Sequence, residues 1–157
     1  ATRLIPVPTR HTDIGRVNAD RLTAIAREAA EQCERLTIPE ISHPIQFFQL
    51  LSDWPGLPLL VCAESGPARP LAAALSGLPP GPVGVLVGPE GGFANSELDE
   101  LARQPFVVPV GLGPRVLRAE TAALAALACW QALRGDWCNG GGSDVRPPFR
   151  SSSSPAL

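Results

Sequence analysis

The chain has 157 residues, 45% hydrophobic and 18% charged, with a formal net charge of -2. That is too apolar for a disordered acidic tail and too evenly charged for a segment that coats nucleic acid along its length, and it suits one domain able to bury a core. With that net charge an RNA or DNA partner would have to be held by local patches. All 13 basic residues are arginine, which forms bidentate contacts with phosphates and carboxylates, and a GC-rich genome is the alternative explanation of the count.

In chain order, residues 3–8 are apolar and predict a short strand whose prolines place it at an edge or end it early. Asn18 predicts an N-cap, followed by a helix with Leu22, Ile25, Ala26, Ala29 and Cys33 on one core-facing side. Residues 44–52 predict a short helix, because Ile45, Phe47, Phe48, Leu50 and Leu51 do not alternate. The runs 57–63 and 83–87 are continuously apolar, as strands covered on both faces are, with a short helix over 70–76 between them. A helix over 96–103, a third apolar run over 106–110 and a helix over 119–133 stopped by Gly135 complete the pattern. Strands alternating with helices predict an α/β fold, a parallel sheet flanked by helices, over residues 1–137. The GGG, PP and SSSS content of residues 138–157 predicts a disordered tail.

Cys33, Cys62, Cys129 and Cys138 lie at unpatterned spacings, and neither His11 nor His43 falls near them at ligand spacing. Free, mostly buried thiols and no metal site are the expectation. No charged-then-apolar leader opens the chain and no apolar run reaches the roughly 20 residues of a membrane span, so the cytoplasm is the expected location. The lack of any Met suggests that Ala1 lies inside a longer protein.

Chemistry concentrates in two segments, Gly88-Pro89-Glu90-Gly91-Gly92-Phe93 and Leu112-Gly113-Pro114-Arg115-Val116-Leu117-Arg118-Ala119-Glu120-Thr121. Each follows a predicted parallel strand, where open α/β sheets bind ligands, and glycine there lets backbone approach a ligand closely. Tight strand-to-helix turns are the plainer reading of either loop alone. A phosphate-cradling P-loop needs a lysine, which the chain lacks, and the dinucleotide pattern of spaced glycines followed by an acidic residue on the next strand is also missing.

These segments carry a resemblance. GPEGGF followed by SEL, and LGPRVLRAETAALAAL after the next strand, resemble the two signature motifs of the bacterial 16S ribosomal RNA uridine-N3 methyltransferase family of the SPOUT superfamily. Residues 28–35 with Ile38-Pro39-Glu40-Ile41, and Pro6-Val7-Pro8-Thr9-Arg10, are similar to earlier parts of that family. Ala94 departs from it, standing where the family commonly has a Ser that caps the helix with Glu97, which leaves Asn95 to cap.

The resemblance implies a SPOUT-type fold with a C-terminal trefoil knot, incomplete at its N-terminus, and a homodimer whose subunits pair through the final helix. Family members begin with a small β-barrel RNA-binding domain that nothing here matches, so a fragment, a shortened form or a degraded homologue is expected. S-adenosylmethionine is the implied cofactor, held by Ala63, Gly88, Pro89, Glu90, Gly91, Leu112, Val116, Leu117 and Thr121. Arg115, Arg118 and Glu120 are the implied catalytic residues, with Glu120 orienting one of the arginines, and Arg10 and Arg115 would contact the RNA. The implied substrate is 16S ribosomal RNA within the small ribosomal subunit. A domain that binds the cofactor without activity of its own, and a SPOUT enzyme acting on transfer RNA, stay open.

Overall fold

Leu59, Leu60, Val61 and Cys62 point alternately to the two faces of a central strand, and the two sets of side chains organise most of the chain around them. The computed structural model describes residues 1–12, 17–63 and 67–138. Its elements are β1 (Arg3–Leu4), α1 (Ala19–Gln32), β2 (Glu40–Ile41), α2 (Phe47–Ser52), β3 (Leu59–Cys62), β4 (Arg69–Pro70), α3 (Leu71–Ser76), β5 (Gly84–Val87), α4 (Asn95–Arg103), β6 (Val107–Gly111) and α5 (Ala119–Leu133). A four-stranded parallel sheet has the order β4-β6-β3-β5, and β1 and β2 form a separate parallel pair.

Leu59 lies opposite Gly84 on one side and Val107 on the other, and Cys62 lies opposite Val87 and Val110. From this register Leu59, Val61 and Leu86 pack with Phe47, Leu51 and Leu101 of α2 and α4. Leu60 and Val110 pack on the other face with Leu71, Ala74, Leu75 and Ala126 of α3 and α5. Each leucine fully withdrawn from water contributes roughly 2 kcal/mol, so helices on both faces are what the continuous apolar strands require. Arg134 fastens the end of α5 to the end of α3, its guanidinium donating to the carbonyls of Leu75, Leu78 and Pro79 at 3.1, 3.0 and 2.6 Å.

The apolar runs over 57–63, 83–87 and 106–110 became β3, β5 and β6, and the three later helices formed where their patterns put them. The first strand is shorter than its apolar run, because Pro6 and Pro8 carry no amide hydrogen for a ladder. Its carbonyls still accept, Leu4 from the Ser42 amide and Pro6 from the Ile45 amide, both at 3.0 Å.

Three expectations are corrected. Asn18 does cap α1, accepting from the Arg21 amide at 2.9 Å, but the helix buries Ala30 while Ala29 and Cys33 are exposed and Ile25 is 50% exposed. The sheet beside α1 has strands of two residues and covers only a narrow strip of it. Asn95 is the first residue of α4 and caps nothing; the cap position is Ala94, and Glu97 supplies half of a capping box by accepting the Ala94 amide at 2.8 Å. The thiols are not mostly buried: Cys33 and Cys138 are exposed, Cys62 and Cys129 half-buried. Cys138 belongs with the folded end, its Sγ 2.9 Å from the Ala132 carbonyl, and the rest of the expected tail, 139–157, lies outside the described residues.

Candidate functional site

The connection from β5 through α4 to β6 passes over β3, so β5 and β6 flank the central strand and their following loops meet above its C-terminal end. This is the place where strand order reverses and where open parallel sheets take ligands. The two loops enclose a cleft of about 470 Å3, within the range of about 300–1,000 Å3 that accommodates a molecule of cofactor size.

Backbone geometry explains the glycines. The first loop closes as a turn with the Gly92 amide donating to the Pro89 carbonyl at 2.9 Å, and a Cβ on Gly88 would come within 3.0 Å of the Phe93 ring, which closes over the bare backbone. Gly113, in the second loop, has φ +112° with open space around it. The requirement there is conformational, since a side chain in that region is strained whatever room it has.

Cys62, Val87, Phe93, Val110 and Leu112 supply apolar wall. Burial pushes the Cys62 thiol up to about 11, so it stays protonated at neutral pH and is wall, not nucleophile. Arg115 and Arg118 supply positive charge, and neither has an ion-pair partner among the described residues. Two unpaired guanidiniums in one cleft favour a carboxylate or phosphate. Among the described residues the arrangement holds and orients, and none of those lining the cleft is an activated nucleophile.

Of the residues expected to hold a cofactor, Ala63, Gly88, Pro89, Glu90, Leu112, Val116 and Leu117 line this cleft. Gly91 and Thr121 do not. Arg115 and Arg118 line it too, whereas Glu120 does not. Ala119 and Ala122 are the α5 residues that face the cleft, and with about 100° between successive residues Glu120 and Thr121 fall on the other sides of that turn. Among the described residues Glu120 makes no ion pair with either arginine, so its expected orienting role is not seen. Cys62 and Ala68, outside both glycine-bearing segments, also line the cleft, as does Phe93 at the end of the first segment. Ala68 carries no local signal, because only the pairing of β4 with the end of β6 brings it there.

A second cleft of about 400 Å3 lies against the first loop, formed by Val7, Thr9, His11 and Thr12 with residues 86–91. Arg10 is exposed beside it, with its backbone amide bonded to Glu97.

Comparison with known proteins follows the same residues. A family model described as RNA methyltransferase domain matches residues 1–131. Ribosomal RNA small subunit methyltransferase E of Rickettsia conorii is 39% identical over 127 residues, 81% of this chain and 52% of the relative. The protein of that name from Bacillus subtilis is 39% identical over 127 residues, 74% of this chain and 49% of the relative. Among solved structures, a ribosomal RNA small subunit methyltransferase E from Neisseria gonorrhoeae bound to S-adenosyl methionine gives a TM-score of 0.73 at 30% identity, over 87% of this chain and 57% of that one. A Legionella pneumophila protein in complex with the same cofactor gives 0.65 at 28% identity, over 83% and 55%. The chain spans about half the length of the curated relatives it matches.

Proposed function

Because the chain belongs to the RNA methyltransferase domain family, we propose that it is the catalytic domain of an S-adenosylmethionine-dependent enzyme that methylates N3 of a uridine in 16S ribosomal RNA of the small subunit. The observation that carries this reading is the cleft in which both glycine-bearing loops meet, with Arg115 and Arg118 in its wall. S-adenosylmethionine supplies a methyl group on a sulfonium, and transfer is an in-line displacement, so the chain contributes chiefly by positioning. In this reading backbone groups of Gly88, Glu90, Leu112 and Leu117 contact the adenine and ribose, with Ala63, Pro89 and Val116 beside them; in support, all seven line the cleft. Arg115 and Arg118 hold the base and its phosphate and favour the uracil anion once the N3 proton leaves. With Glu120 outside, Glu90 is the one carboxylate that lines the cleft among the described residues, and water reaches it because it is exposed.

In this reading the segment from β6 through α5 is the knotted part of the fold. The enzyme works as a homodimer paired through α5, on which Leu124 is 68% and Leu127 38% exposed, an apolar surface that a second copy would cover. The cytoplasm, where small subunits are assembled, is its setting; no helix of the described residues is long and apolar enough to cross a membrane.

A second reading is favoured by the half-length match to the relatives: the chain binds the cofactor and needs further protein for transfer. One experiment separates them. Isotopically labelled S-adenosylmethionine is incubated with the chain and small-subunit particles, and the RNA is digested to nucleosides. N3-methyluridine is the expected product; cofactor binding without transfer favours the second reading, and label on transfer RNA alone contradicts the ribosomal assignment.

A further inference from the structure

Glu97 is 3% exposed and is, with Ser42, one of two buried polar side chains among the described residues. Among the described residues no cation makes an ion pair with it. Its carboxylate is held by backbone amides: Oε2 accepts from Ala94 at the start of α4 at 2.8 Å, and Oε1 accepts from Arg10, 87 positions earlier, at 2.9 Å. Capping α4 needs only the first bond and leaves a glutamate at the surface. Burying a carboxylate is costly, and the second bond is what this burial makes.

The neighbour of Arg10 makes a parallel attachment. His11 Nδ1 lies 3.0 Å from the Gly91 carbonyl and 3.2 Å from the Gly92 carbonyl. Both partners are acceptors, so Nδ1 carries the hydrogen. Glycine at 91 permits the approach, for a Cβ there would sit 3.0 Å from the His11 Cβ. The turn itself is internally tied, with the Thr12 amide donating to the Thr9 carbonyl at 3.1 Å and the Thr9 amide to the Thr12 Oγ1 at 2.9 Å. A stiff turn carrying Arg10 is therefore fixed at two points, by His11 to the loop of residues 88–92 and by the Arg10 amide to Glu97 in the first turn of α4, the helix that follows that loop; the loop lines the cofactor cleft with Gly88, Pro89, Glu90 and Gly92.

We propose that Glu97 and His11 are positioning residues that lock the turn of residues 9–12 to the cofactor loop and to the first turn of α4 that follows it, so that RNA held by Arg10 and S-adenosylmethionine held in the cleft strengthen each other's binding. The proposal rests on the functional reading above and adds a coupling between its two ligands. Such coupling is reciprocal: whatever factor RNA confers on the cofactor, the cofactor confers on RNA.

The test is calorimetric titration of S-adenosylmethionine into the full-length protein, with and without a 16S ribosomal RNA fragment. In the wild type, RNA is expected to tighten the cofactor by about fivefold or more. His11→Ala, at an exposed side chain, is expected to bring that factor near one with the fold intact, and Glu97→Gln, which keeps the shape but swaps an acceptor for a donor, to do the same. The double variant should be no worse than either single one, since both act on one turn. An equal factor in wild type and His11→Ala, or a wild-type factor of one, overturns the coupling. Failure of the wild type to bind the cofactor overturns the functional reading itself.

Discussion

Arg115→Ala in the full-length protein is expected to slow methylation of small-subunit RNA on the order of a hundredfold, the usual cost of removing one preorganised donor from developing charge. Arg115 lines the cleft, is exposed, and has no ion-pair partner among the described residues, so its loss should leave the melting temperature unchanged. Arg115→Lys should recover little, because a compact ammonium cannot copy the planar fork of a guanidinium. Cofactor affinity should change far less than the rate, since in the proposed arrangement the apolar wall and the loop backbones hold the cofactor. Steady-state kinetics on small-subunit particles check this, and an unchanged rate would remove Arg115 from the mechanism.

Gly84→Ala is expected to destabilise the fold by about 1–3 kcal/mol, an overpacking cost. The new Cβ would lie 2.5 Å from Trp54 Cζ2 and 2.8 Å from Leu59 Cδ1. Neither neighbour can yield cheaply. The Trp54 indole donates to the Leu57 carbonyl at 2.7 Å and packs on Phe106 with ring centroids 6.3 Å apart, and Leu59 is fully buried on the central strand. Thermal unfolding should show a melting temperature lower by about 5 °C or more. An unchanged transition would mean that the indole moves aside without cost. Because β5 leads directly into the Gly88 loop, cofactor binding should weaken in the same variant.

The limits of α5 were legible because an alanine-rich apolar run ends at Gly135, and the strands because uninterrupted apolar runs have few alternatives in so short a chain. The two loops stood out by composition and by the motifs they carry. Pairing over distance has no local trace. β2 and β4 are two residues each and exist only because a partner strand lies beside them, and the contact between Arg10 and Glu97 spans 87 positions. Periodicity in α1 says which residues share a side but not how wide a surface waits opposite, and so it overcounted the buried positions. Glu120 drew attention through the density of charge around it, but the direction from which α5 enters the cleft decides which side of its first turn faces in, and small Ala119 and Ala122 hold that side.

The cofactor's place in the fold is the most direct thing to measure. Methyl-labelled S-adenosylmethionine can be cross-linked to the chain by ultraviolet light and the labelled peptides mapped. Saturable label on the segment of residues 112–119, together with residues 88–93, is the result expected of a cofactor seated between the two loops. Label confined to residues 7–12, on the second cleft, or no saturable label at all, would contradict it.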